Sequence, residues 1–148
     1  MGASGWEYCV PCQEDLGAAL DALRQRVFEE HDYHWDPWDE DEDEAGEARG
    51  RPSTIGLLVG GRAGPGGGTH SILDMHRMVR PGESPGHGTV QPVQPAEAYR
   101  LTGTDRLTRA HVQLMEPLAD RRWVGRCAVL HDAHGRPEEI RFWGFSGD

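Results

Sequence analysis

The chain has 148 residues and a formal net charge of -10; all 15 of its basic residues are arginine, and neither Lys nor Asn occurs. That length suits a single domain burying roughly 70% of its unfolded surface. The missing lysine excludes Schiff-base, pyridoxal and P-loop chemistry, and the missing Asn excludes N-glycosylation.

In chain order, residues 6–10 read as a short strand. After Pro11, Leu16, Ala19, Leu20, Leu23 and Val27 recur at helical spacing, which predicts a helix over about 13–30. Pro52, Ser53 and Thr54 can cap a short helix reaching Val59, weakened by Gly56. Residues 69–79 nearly alternate apolar and polar side chains, as a strand with one better buried face does. A Pro- and Gly-rich connection follows to Gln94. Pro95 then opens a helix that Gly103 ends, and Thr104 or Thr108 caps another that Pro117 stops or kinks. Residues 124–131 and 138–145 alternate as two strands around an Asp-, Gly- and Pro-bearing turn, a β-hairpin. The expected fold is α+β: a mixed or antiparallel sheet of about four strands, helices packed on one side, and a C-terminal β-hairpin. One domain over 1–148 is expected, with insertions at 36–51 and 60–68. Leu, Ile, Val and Phe number only 26, which implies a modest core.

Charge is distributed unevenly. Eleven acidic residues and no Arg lie between Glu29 and Glu47, including the unbroken run 39–44, while the remaining 14 acidic residues nearly balance the 15 arginines. Six adjacent carboxylates repel one another, so they stay solvated or meet cations. Trp35 and Trp38 stand among Asp36, Asp39, Glu40, Asp41 and Glu42, and aromatic anchors beside carboxylates are what a surface docking into a basic cleft uses. The same charge disfavours nucleic acid. No apolar run is long enough to span a bilayer, and residues 1–6 lack the features of a signal peptide, so a cytoplasmic location is expected.

The segments Trp6-x-Tyr8-Cys9-Val10-Pro11, Thr69-His70-Ser71-Ile72-Leu73-Asp74, Gly103-Thr104-Asp105-Arg106 and Glu139-Ile140-x-Phe142-Trp143-Gly144-x-Ser146 resemble a group of small hypothetical proteins common in actinobacteria. Arg in place of Lys fits the codon bias of a high-GC genome. The resemblance implies a compact intracellular domain and assigns no catalytic residue. In similar sequences an aromatic residue stands where Cys12 does, which counts against a shared two-cysteine chemistry.

Four constellations invite chemistry. Cys9-Val10-Pro11-Cys12 lies between a strand and a helix start, where a redox pair would sit, although a short strand and the terminal hairpin oppose that reading; the alternative is two small apolar residues at a strand end. His31-Asp-Tyr-His34 and His131-Asp-Ala-His134 share one spacing, and together they offer four imidazoles to a transition metal; otherwise they face water in loops. His70, Ser71 and Asp74 resemble a triad, but neighbours on a strand point oppositely. The Gly-rich stretch at 60–68 precedes a strand, whereas a phosphate loop follows one.

Two functional expectations result. The first is a non-enzymatic domain that binds a basic protein, as immunity proteins and antitoxins do, through Trp35, Trp38 and the acidic stretch, with no resident cofactor. The alternative is a small enzyme or metal-binding domain using His, Cys and carboxylates in a pocket at the sheet edge. A homodimer through the aromatic strand at 140–145 is a further expectation.

Overall fold

A computed structural model describes residues 4–35, 51–60 and 68–146. The expected contact residues Asp36, Trp38, Asp39, Glu40, Asp41 and Glu42 lie outside the described residues, as does most of both expected insertions.

Strand β1 (Ser4–Pro11) leads to helix α1 (Leu16–Glu29), whose N-cap Asp15 accepts a hydrogen bond from the Ala18 amide at 3.1 Å. Helix α2 (Ile55–Gly60) is capped by Thr54, whose hydroxyl accepts from the Leu57 amide. A 3-10 turn (Ile72–Asp74), strand β2 (Arg77–Met78) and strand β3 (Thr89–Pro92) follow. Helix α3 (Pro95–Thr102) ends on Gly103 at φ 79°, the left-handed cap that glycine adopts without strain. Helix α4 (Val112–Met115) is flanked by 3-10 turns at Arg109–His111 and Glu116–Leu118. Strands β4 (Val124–His131) and β5 (Pro137–Ser146) close the fold as the expected hairpin.

The class is α+β, with five strands rather than four, in the order β1-β5-β4-β3-β2. β2, β3 and β4 run parallel, while β4–β5 and β5–β1 are antiparallel. The extra strand is β3, which falls in the stretch read as a connection. Of the expected strand at 69–79 only Arg77 and Met78 pair, and Ile72–Asp74 form the 3-10 turn. Ile72, Leu73, Asp74 and Met75 are buried in succession, which a strand with one solvated face does not allow.

Helices cover both faces of the sheet, not one. On the first face Leu20, Leu23 and Val27 of α1 and Leu58 of α2 pack against Val10, Cys127, Ile140 and Phe142. On the second, Ala98 of α3 and Met115 of α4 pack against Ala128, Leu130 and Trp143. Successive residues of β4 and β5 point to opposite sides, so two cores form where each strand is buried twice. The expected dimer edge at 140–145 is not an edge, because β5 is hydrogen-bonded on both sides; the sheet ends at β1 and at the two-residue β2.

Trp6 occupies a slot floored by two glycines. A Cβ on Gly144 would come within 2.7 Å of Trp6 Cζ2 and 3.2 Å of Gly125 Cα, and one on Gly125 within 2.9 Å of Trp6 Cη2. The indole is also held in place, its Nε1–H donating to Ser146 Oγ at 3.1 Å, so moving it away breaks that bond. Gly144→Ala is therefore expected to cost about 1–3 kcal/mol through overpacking, read as a lowered urea midpoint at an unchanged slope; a midpoint within error of the parent would show that the slot yields.

Candidate functional site

The edge strand β1 borders an open cleft. A cleft of about 440 Å³ is lined by Gly5, Trp6, Glu7 and Tyr8 of β1, by His31, Asp32, Tyr33 and His34 after α1, and by His70. Helix α1 stops at Glu29, and the chain then turns sharply: His31 has φ 56°. His70 has φ 52°. Left-handed backbone is uncommon outside glycine and concentrates at functional sites. The two turns are joined by the His34 amide, which donates to the Thr69 carbonyl at 2.8 Å. The His34 and His70 rings then stack at 5.0 Å.

A buried polar network supports this wall. Asp74 Oδ1 accepts from the Thr69 amide (2.7 Å) and the Thr69 hydroxyl (2.9 Å), and Oδ2 accepts from the Ser146 hydroxyl (2.5 Å) and the Ser71 amide (3.4 Å). Ser71 and Thr69 hydroxyls lie 2.7 Å apart, and Trp6 Nε1 donates to Ser146 Oγ. Every member is 8% exposed or less. Three of the segments that carry the resemblance, at Trp6, at 69–74 and at 144–146, thus meet behind the cleft.

Tyr8 and Tyr33 give the cleft its aromatic surface. Burial raises the Tyr8 hydroxyl above its ordinary value, with hydrogen bonding to the Ile72 backbone acting the other way. Tyr33 stacks on Phe28, and the Arg51 guanidinium lies 5.1 Å from its ring centroid. The Tyr33 hydroxyl is buried and has no hydrogen-bond partner among the described residues. Trp35, expected as an exposed anchor, is partly buried against the first core.

The four histidines expected to share a metal are not brought together. His31 and His34 line the cleft beside the 5–8 end of β1. His131 pairs with Pro137 at the hairpin end of the sheet, where its amide and Nδ1 face the Leu107 carbonyl. The His134 amide donates to Asp132 in the turn. Among the described residues no group of three or more His, Cys, Asp or Glu side chains is placed to hold a metal ion.

The other constellations also separate. Ser71 is committed to the Asp74 network while His70 stacks on His34, so no triad forms. Cys9 is an exposed residue on the face of β1 opposite Val10, and partial burial of its thiol, then nearby Glu139, raises its pKa, against what an attacking thiolate requires. Helix α1 begins four residues after Cys12, too far to stabilise a Cys9 thiolate. Cys127 is pushed up to about 12 by burial, as an inert core thiol is. Among the described residues no helix is long and apolar enough to cross a membrane. Compared with protein-family models, curated proteins and solved structures, the chain matches none.

Proposed function

We propose that this protein is a non-enzymatic binding domain for a basic protein, an inhibitor of the immunity-protein or antitoxin kind, and that the β1-edge cleft receives an arginine side chain of the partner. One observation carries the reading. The acidic stretch leaves the wall of the cleft at Trp35, packed on the core, and returns to it at Arg51, stacked over Tyr33. Both ends of the most negative part of the chain are therefore anchored beside an aromatic opening that has Asp32 in its wall. Ring faces and carboxylates together favour a guanidinium, and Tyr33 already carries one at 5.1 Å. The concentrated charge steers a basic partner toward the cleft.

The test uses an arginine-rich peptide, titrated by calorimetry at several salt concentrations. Saturable binding that weakens as salt rises is expected. Tyr33→Leu and Asp32→Asn should each weaken it by about 1 kcal/mol, roughly fivefold, and serines at 39–44 should flatten the salt dependence. Absence of binding at low salt, or binding indifferent to salt, overturns the proposal.

The metal-binding or enzymatic alternative rests on His31, His34 and His70 lining one cleft, where their side chains are not placed around a common ion. Equilibrium dialysis with zinc separates the readings: a stoichiometric ion lost in His34→Ala and His70→Ala variants supports it, and arginine-peptide binding without metal supports the first.

A further inference from the structure

At the end of the sheet where β2, β3 and β4 begin, the residues just before these three parallel strands stand side by side. The His76 amide, preceding β2, donates to the Gly88 carbonyl (2.7 Å); the Gly88 amide, preceding β3, donates to the Trp123 carbonyl (2.7 Å), just before β4. This ladder sets two imidazoles and an indole along one rim. His76 lies so close over Gly88 that a Cβ there would collide with its Cδ2. His87 stacks on Trp123 at 4.9 Å. Gly88 and Trp123 have φ 78° and 65°, so the rim is built from left-handed turns, one of them on a bulky residue.

Helix α1 packs against β2 and brings Arg24 near His76. The buried Nε of Arg24 has no hydrogen-bond partner among the described residues, and a buried donor left unmet costs about 1–3 kcal/mol. Burial lowers the Arg24 pKa, opposed by Asp21. His76 is lowered by burial first, then by Arg24 and by His87, while Asp74 acts the other way. That one carboxylate is already committed to four hydrogen bonds. Three basic side chains thus stand at this end of the sheet, and the Arg24 Nε donor has no partner among the described residues.

We propose that Arg24, His76 and His87 form a binding site for a phosphate-class oxyanion, with Trp123 backing the His87 ring. A tetrahedral oxyanion supplies several acceptors at once, which suits a guanidinium flanked by two imidazoles. His76 and His87 are exposed, so the imidazole side of the site is open to solvent, while the Arg24 Nε lies beneath it, buried. It is separate from the β1-edge cleft, and its failure would leave the basic-partner reading untouched.

Inorganic phosphate and phosphoserine, titrated against the full chain with the histidine ring signals followed by NMR and chloride as control, test the site. Saturable shifts of His76 and His87 are expected with phosphate but not chloride. Arg24→Met, which keeps a good helix former in α1, and His87→Gln should each weaken binding about tenfold. Tighter binding of phosphoserine than of phosphate assigns a phosphomonoester, and equal binding assigns the free ion. No saturable shift, or the same affinity in the Arg24→Met variant, overturns the site. So does phosphate binding that emerges only when 39–44 are changed to serine, because the anion would then be this chain's own carboxylates.

Discussion

Replacing Asp74 by alanine is expected to lower stability by about 3–5 kcal/mol, which is large against the total of a domain this size. The cost follows from the donors left behind. The Thr69 amide, the Thr69 hydroxyl and the Ser146 hydroxyl all point at a carboxylate 7% exposed, and the surrounding side chains leave little access for water to replace it. Asp74→Asn should fall between the parent and alanine, because an amide keeps one acceptor and turns a donor toward groups that are themselves donors. Urea denaturation measures both, with an unchanged slope confirming that the native state and not its compactness was altered.

The same substitution should reach the cleft. Thr69 is held by two bonds to Asp74 and in turn offers its carbonyl to the His34 amide. Without the carboxylate, the left-handed turn at His70 loses its support, and the stacked His34 and His70 rings should separate. Arginine-peptide binding should fall more in Asp74→Asn than in a core variant of equal stability, such as a conservative change at Ile140. Equal losses would show that the network holds the fold without shaping the cleft. A stability cost under about 1 kcal/mol for Asp74→Ala would mean that water replaces the carboxylate after all.

Local rules made some of this molecule legible and hid the rest. Helix α1 was readable because Ala19, Leu20, Leu23 and Val27 recur on one stripe, and those four are the ones it buries. Helix α3 was readable from Pro95 and Gly103, and the hairpin from alternation over 124–131 and 138–145. Alternation misled at 69–79, where a 3-10 turn buries consecutive residues because chain presses on it from both sides. β3 was invisible because Thr89-Val90-Gln91-Pro92 carries one large apolar residue and ends in proline; its pairing comes from neighbours. The cleft depends on a backbone bond between His34 and Thr69 and on left-handed histidines, features that no spacing reveals. The His-Asp-x-His motifs suggested a shared site only on the assumption of helical turns, whereas α1 has already ended at Glu29. The pairing of both ends of the acidic stretch with the cleft joins Trp35 to Arg51, across residues whose sequence showed charge and nothing of place.

Arg126→Met is expected to cost about 3 kcal/mol, and the reason lies in how a charged side chain comes to be 6% exposed in a sheet this small. Its guanidinium meets Glu97 of α3 through two bonds, at 2.6 and 3.2 Å, and reaches the carbonyls of Gln91, Pro92 and Leu118. It therefore ties β3, α3 and the 3-10 turn at Glu116–Leu118 to β4, all on the second face. Methionine fills the space but leaves those acceptors without their donor. Glu97 keeps 24% of its side chain exposed, so its carboxylate regains some water and the loss stays near the lower end for a broken buried pair. Burial alone would raise the Glu97 pKa, but the hydrogen bonds from Arg126 and the Gln94 amide outweigh it, and the folded value lies below the ordinary 4.5. A carboxyl depressed in this way contributes stability that is complete above its unfolded pKa and disappears as pH falls through the folded one. The urea midpoint of the parent should accordingly drop on acidification from pH 5, and the Arg126→Met variant should show a shallower drop. Changing Glu97 to methionine as well removes the stranded carboxylate, so the double variant should be more stable than Arg126→Met alone. Two single losses that simply add would show that the pair is not coupled and that the three carbonyl contacts carry the effect.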